Sequence, residues 1–282
     1  MTNGVISVVK PPGISSHDVV SRVRKILDTR KVGHAGTLDP GASGVIVLGV
    51  GKGTRLLEYI QNYKKTYRGE IQLGFQTSSG DLFGETIDKK PIKQLNDKSW
   101  NNILAQFIGV QQQTPPMTSA LKKDGIRLYK LARNGLEIKR DKREIEIFSI
   151  DLVRNLGDRI IIDVECSSGT YIRVLCEDIA KKSGNIGTMS FLLRTKIGPF
   201  SLNNSFLLNE ELKLQSMKLA VLNMNILRLN SLQYDDIKHG RYINPTKEYK
   251  DNELVALVSE DDNLVAIAYY DKNQLKPKKV FI

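Results

Sequence analysis

The string "HAGTLDPGASG", His34 to Gly44, carries a single acidic side chain, Asp39, between a leucine and a proline. An Asp-Pro pair is a turn former. A carboxylate in a glycine-rich loop is also a candidate nucleophile or proton acceptor. On these residues alone both readings stand. Other chemistry is scarce. The histidines are three, at 17, 34 and 239, and the cysteines are two, Cys166 and Cys176. That is too few and too scattered for a tetrahedral metal site or a disulfide framework. Downstream, "GVGKGT" approaches a phosphate-binding loop, but Ile46 stands where that loop needs its first glycine and Gly53 where it needs a hydroxyl. No strand–GxGxxG–helix order is present either. Neither a metal nor a nucleotide cofactor is expected, and the glycines need another explanation.

The elements that must position this loop follow from periodicity. "SSHDVVSRVRKILDTRKVG" predicts a helix capped by Ser15 or Ser16, with Val19, Val20, Val23, Ile26 and Leu27 at helical spacing and Gly33 as its stop. "VIVLGV" predicts a short buried strand. In "KKTYRGEIQLG", Tyr67, Gly69, Ile71 and Leu73 alternate with Thr66, Arg68, Glu70 and Gln72, the period of a strand with one covered face. Tyr67 is therefore either a core tyrosine or a ring facing a site. Trp100, Ile103, Leu104, Phe107 and Ile108 form a helical stripe, "TPPMTSA" is a break, and "RLYKLARNG" predicts a short basic helix ended by Gly135. "REIEIFSIDLV" and "RIIIDVECSSGTYIRV" read as strands, the second leading into the helix "LCEDIAKKSG". On that strand Tyr171 and Arg173, two apart, share a face. Strands and helices mix without a regular βαβ beat, so the fold class is α+β. Near Arg228 the texture changes to short strands, "NELVALV", "LVAIAYY" and "PKKVFI". A main domain over 1–227 and a small all-β domain over 228–282 are expected.

The chain has 282 residues, 40% of them hydrophobic, a net charge of +11 and a mean hydropathy of −0.27. This composition suits a core built in water. No basic-then-apolar leader opens it, and no apolar run reaches the roughly 18 residues of a membrane span. A reducing, cytoplasmic home and a monomer are expected. Residues 228–282 hold nine Lys/Arg and nine Asp/Glu, so the whole excess lies in the first 227. The stretch 120–143 alone has nine basic and three acidic residues, a net +6. Such a segment fits a polyanion, most simply a nucleic acid, or a solvated basic surface. On the helix predicted there, Arg127, Lys130 and Arg133 lie along one side and are the candidate phosphate contacts.

The pattern H-x-G-x-L-D-P-x-A-x-G over His34–Gly44 resembles the catalytic motif of the pseudouridine synthases, in their tRNA T-arm (TruB-type) version. The resemblance continues along nearly the whole chain in order. "VVKPPGISSHDVV" resembles the family's N-terminal Lys-Pro motif and "KKTYRGEIQLG" its Tyr motif. "PPMTSALKKDGIRLYKLARNG" resembles its RNA-gripping insertion, about 112–143 here, and "CSSGTYIRVLCEDI" its G-T-Y-I-R motif. "FLLRTKIGPF" resembles its leucine segment, and the tail resembles a PUA domain, a small RNA-binding β-barrel. The resemblance implies a mixed, mainly antiparallel sheet flanked by helices. It also implies tRNA as partner, gripped at the T arm, and isomerisation of uridine-55 to pseudouridine. That reaction breaks the N1–C1′ bond, turns the uracil and joins C5 to C1′. Electrons balance within the substrate, so no redox cofactor is required.

Carried over residue by residue, the resemblance implies that Asp39 is the catalytic carboxylate, acting on C1′ or C6 or as a base at C2′. Arg173 would pair with it. Tyr67 would stack on the extruded uracil, its hydroxyl near C5. Tyr171 and Leu192 would line the base pocket, and His34 would occupy space left by flipped nucleotides. Lys10 completes the substrate-binding set as a supporter of the active-site loop. One departure is that a single arginine follows Leu192 in "LLRT", where related sequences often have two; it bears on a peripheral phosphate contact. Two rivals are weaker. A carboxylate glycoside hydrolase wants two acids about 5–9.5 Å apart, and no second acid in motif context accompanies Asp39. A non-catalytic RNA-folding module would be favoured only if Asp39 were replaced.

Overall fold

The apolar run that follows the Asp39 loop lies in the middle of a ten-stranded sheet in the computed structural model, which describes residues 3–119, 121–123, 125–128, 131, 136 and 138–282. The chain opens with β1 (Gly4–Lys10), α1 (Ser16–Ile26), β2 (Val32–His34), β3 (Ser43–Val50), α2 (Leu57–Gln61) and β4 (Lys65–Leu73). It continues through β5 (Phe75–Thr77), β6 (Thr86–Lys89), α3 (Asp97–Leu104), β7 (Gly109–Gln113), β8 (Lys122–Lys123) and β9 (Ile126–Arg127). Then come β10 (Arg143–Asn155), β11 (Arg159–Cys166), α4 (Ile172–Lys182), β12 (Gly187–Ile197), β13 (Phe200–Ser201) and β14 (Phe206–Leu207). β15 (Asn225–Arg228), α5 (Ser231–Lys238), β16 (Leu254–Val258), β17 (Leu264–Asp271) and β18 (Gln274–Val280) finish it.

The main sheet runs β14-β1-β3-β12-β4-β11-β10-β7, with β2 on β3 and β13 on β12. Among the described residues of this sheet, β1/β14 and β3/β12 pair in parallel and the other strand pairs are antiparallel, so the class is α+β with a mixed, mainly antiparallel sheet. β3 is covered on both faces. Val45 and Val47 join a core with Leu56, Ile60, Ile267 and Phe281, whereas Ile46, Leu48 and Val50 join one with Val19, Val20 and Val23 of α1. Its unbroken apolar sequence follows from that double cover, each such side chain contributing about 1.5–3 kcal/mol. β4 is covered on one face, where Tyr67, Ile71 and Leu73 meet Ile172, Leu175, Cys176 and Ile179 from α4 and its start. β1 is edged by residues from far down the chain: Val8 and Val9 face Phe206 and Leu207, and Val5 exchanges both backbone hydrogen bonds with Gln215.

Several expectations need correction. Ser15 caps α1 through a reciprocal capping box with Asp18, but the helix ends at Ile26 and Gly33 lies in β2. Asp28 already has a positive φ of 43° there, which no helix carries. "GTYIRV" is not strand: β11 stops at Cys166, and Tyr171 is the N-cap of α4. Arg127 is not helical, because β8 and β9 form a hairpin across Gly125, whose φ is +80°; Lys130, Arg133 and Gly135 lie outside the described residues. The C-terminal four-stranded sheet, β15-β16-β17-β18, starts at Asn225 and carries α5, so the tail is not all-β. The sheet is compatible with a PUA-like module.

Candidate active site

The loop between β2 and β3 holds Asp39 by fixing its neighbours. Ser16 Oγ accepts the Leu38 N–H at 2.8 Å and donates to the Leu38 carbonyl at 2.9 Å. The Pro40 carbonyl accepts from the Gly13 N–H at 2.9 Å and from Lys10 Nζ at 3.1 Å. Ala42 N–H closes a turn on the Asp39 carbonyl. Gly44, at φ +111°, must lack a side chain because a Cβ would sit 2.2 Å from the Arg194 carbonyl of β12. Gly53 likewise lets the backbone pass against Gly4. These close approaches account for glycines that resemble a phosphate loop.

The Asp39 side chain is left 38% exposed, while that of Arg173 is 5% exposed. Arg173, in the first turn of α4, donates from Nε to Asp39 Oδ2 at 3.0 Å. The rest of its guanidinium is fully used: it donates to the Ser79 carbonyl at 2.8 Å, to the Thr118 carbonyl at 2.9 Å and to the Thr118 hydroxyl. A planar fork held at every nitrogen fixes the one carboxylate oxygen it meets.

A cavity of about 640 Å³ opens beside this pair, lined by Asp39, Tyr67, Tyr171, Arg173, Leu192 and Arg194 among others. Tyr67 comes from β4, Leu192 and Arg194 from β12, so neighbouring strands bring them together. Burial raises the Tyr67 phenol above its ordinary pKa, opposed by the Arg194 guanidinium; the hydroxyl stays protonated at neutral pH. Arg143 stacks over the Tyr171 ring at 4.5 Å, and Gln113 brackets the Tyr171 backbone from both sides.

Three buried cations that composition did not single out as a group lie here, Arg194 and Lys65 in the cavity wall and Lys10 behind the Asp39 loop. Arg194 is 2% exposed and donates to the Val45 carbonyl at 2.7 Å. Burial, the largest cause, pushes Lys10 and Lys65 down to about 8, with Arg194 adding repulsion and Asp39 opposing the shift at Lys10. Lys10 does not line the cavity; its ammonium is spent on the carbonyls of Pro11, Ile14 and Pro40. His34 also stays off the cavity wall, with Nδ1 accepting the Gly36 N–H at 3.3 Å. Its pKa is lowered, first by burial and then by Arg194.

A second acid does accompany Asp39, against expectation. Asp81 Oδ2 lies 3.8 Å from Arg173 Nε, while its Oδ1 accepts from Ser79 Oγ and the Phe83 N–H. Both carboxylates face the same guanidinium, an arrangement that orients Arg173 rather than a hydrolytic water. Glu177, one turn after Arg173, is raised to about 7, chiefly by burial and then by Asp178, with Arg173 opposing. Among the described residues no group of three His, Cys, Asp or Glu stands close enough to hold a metal ion. Among those residues, too, no helix is long and apolar enough to cross a membrane.

The family described as "TruB family pseudouridylate synthase (N terminal domain)" matches residues 24–172, which include the Asp39 loop and the whole cavity wall except Arg173, Leu192 and Arg194. The chain belongs to the TruB family of pseudouridylate synthases. Its activity is therefore that of an isomerase. A protein of Caldanaerobacter subterraneus named tRNA pseudouridine synthase B is 36% identical over 285 residues, covering 99% of this chain and 99% of that relative. One of Pelotomaculum thermopropionicum with the same name is 45% identical over 213 residues, 74% of this chain and 67% of the relative. A crystal structure of a Cbf5-Nop10-Gar1 complex contains a chain that superposes with a TM-score of 0.78 at 25% identity, covering 99% of this TruB-family chain and 85% of that one.

Proposed function

We propose that this chain converts uridine-55 in the T loop of tRNA to pseudouridine, with Asp39 as the catalytic carboxylate. The observation that carries this reading is the Asp39–Arg173 pair: one carboxylate oxygen is fixed by a buried guanidinium while the side chain still opens onto a cavity walled by two tyrosines. The names of the full-length relatives supply tRNA as substrate class, and the +6 segment over 120–143 supplies a charge partner for its phosphates.

A uridine in a folded loop reaches this cavity only by leaving its stack. Tyr67 and Tyr171 offer ring faces to the extruded base, each stack contributing about 1–3 kcal/mol. The Asp39 oxygen then meets the nucleoside for the step that frees uracil from C1′. The released base turns within the cavity and C5 joins C1′. The proton lost from C5 is balanced by one gained at N1, so atoms and electrons close within the substrate. Leu192 and the base of the cavity exclude water that would otherwise capture C1′.

The test is tritium release from C5-labelled uridine in a T-arm stem-loop and in whole tRNA. Wild type releases tritium, and Asp39→Asn releases it at least about 10³-fold more slowly. Full activity of the variant removes Asp39 from the chemistry; no release by wild type on either RNA removes the substrate assignment.

A further inference from the structure

Asp39 and Leu192 belong to two hollows at once. The first is the cavity that receives the reacting base. The second, about 150 Å³, also counts Asp39 and Leu192 in its wall but is otherwise built largely from Leu82, Phe83, Met189 and Phe191. Phe83 is 78% exposed and Phe191 46%, unusual for two phenylalanines that flank a functional carboxylate. The Phe83 ring lies directly on Gly41, where a Cβ would stand 2.1 Å from the ring edge. Its backbone N–H is held by Asp81 Oδ1 at 3.0 Å, and Asp81 faces Arg173 through its other oxygen. The ring is thus seated on backbone next to Asp39 and fastened at its own backbone, with its surface left open to solvent.

An open aromatic face beside a site for an extruded base has a natural occupant. Unpaired bases stack on such rings whatever their identity, because every base has a π-face. When the target uridine fills the larger cavity, its chain neighbour must pass Asp39, and the continuous wall there leads to Phe83. We propose that Phe83, with Phe191 at its rim, is a stacking platform for an unpaired base flanking the target uridine. This rests on the RNA-isomerase reading above and adds a substrate-positioning residue to it.

The test measures KM and kcat by tritium release from stem-loops for wild type, Phe83→Ala, Phe83→Leu and Phe83→Trp, with thermal melts to verify folding. Phe83→Ala and Phe83→Leu raise KM about tenfold, and Phe83→Trp restores it to within about twofold. Placing an abasic site at each flanking position in turn abolishes the difference between wild type and Phe83→Ala for one of them. An unchanged KM in Phe83→Ala, a leucine as good as phenylalanine, or a penalty that survives both abasic substrates overturns the platform while leaving the isomerase intact. A wild type silent on every RNA overturns the isomerase reading and the platform together.

Discussion

Leu38 and Pro40, on either side of Asp39, are gripped by Ser16, Gly13 and the buried Lys10 ammonium. Leu82 and Phe83, which border the same carboxylate from the next wall, are 53% and 78% exposed, and Phe83 is held through its backbone N–H by one acid, Asp81. The first segment gives up conformational freedom, and in the proposed reaction that would aim a single Asp39 oxygen at the reacting atom. The second keeps its side chains free to meet whatever the substrate brings. The difference teaches where this site is built for chemistry and where for recognition: substitutions on the braced side should act on turnover, those on the open side on substrate affinity.

The largest effect that sharpens this contrast is expected at Arg173. Arg173→Lys keeps the charge but loses the fork that joins Asp39 to Ser79 and Thr118. Single-turnover tritium release should fall about 10²–10³-fold, with filter-binding affinity for tRNA within about threefold of wild type. Equal losses in both measurements would break the division. Ser16→Ala is expected to be milder. It leaves the Leu38 N–H and carbonyl unpaired, at about 1–3 kcal/mol and a few degrees of Tm, and the loosened loop should lower kcat about tenfold with KM unchanged.

The smallest effect concerns pH. Glu177 has a folded pKa of about 7, above its ordinary 4.5. Protons bound in this window favour the folded state, so the contribution is full below about pH 4.5 and is lost as pH rises through 7. Glu177→Gln should therefore be stabilised relative to wild type on going from pH 5 to pH 8, by about 1–2 kcal/mol once partial solvation is allowed for. Urea denaturation at the two pH values checks it, and parallel curves for the two proteins would show that Glu177 does not titrate in this range.

Asp39 and Arg173 were legible as a pair because each sits in its own motif and the resemblance joins the two, and β4 because its alternation is clean. The element under Arg173 was not: "TYIRV" is β-branched and aromatic enough to extend a strand, and only the reversal at Gly169, with φ +86°, separates β11 from α4. Arg127 was read as the first residue of a helix, although Asp124-Gly125 just before it is itself a hairpin signal. The buried cations at the cavity escaped notice because lysine and arginine default to the surface. Nothing local in "LLRT" or "KKTY" tells that Arg194 and Lys65 are buried. Asp81 was missed for the opposite reason, as a polar residue in a loop without periodicity.

The pairing of β1 with Phe206, Leu207 and Gln215 has a consequence for synthesis. A ribosome delivers β1 first, and the segment that seals its outer edge follows only after roughly 10–40 s at about 5–20 residues per second. Through that interval the nascent strand offers unsatisfied amides to any other chain. Domain closure thus waits for the late segment rather than proceeding in step with translation, and β1 is the place where an emerging chain most needs a holding partner.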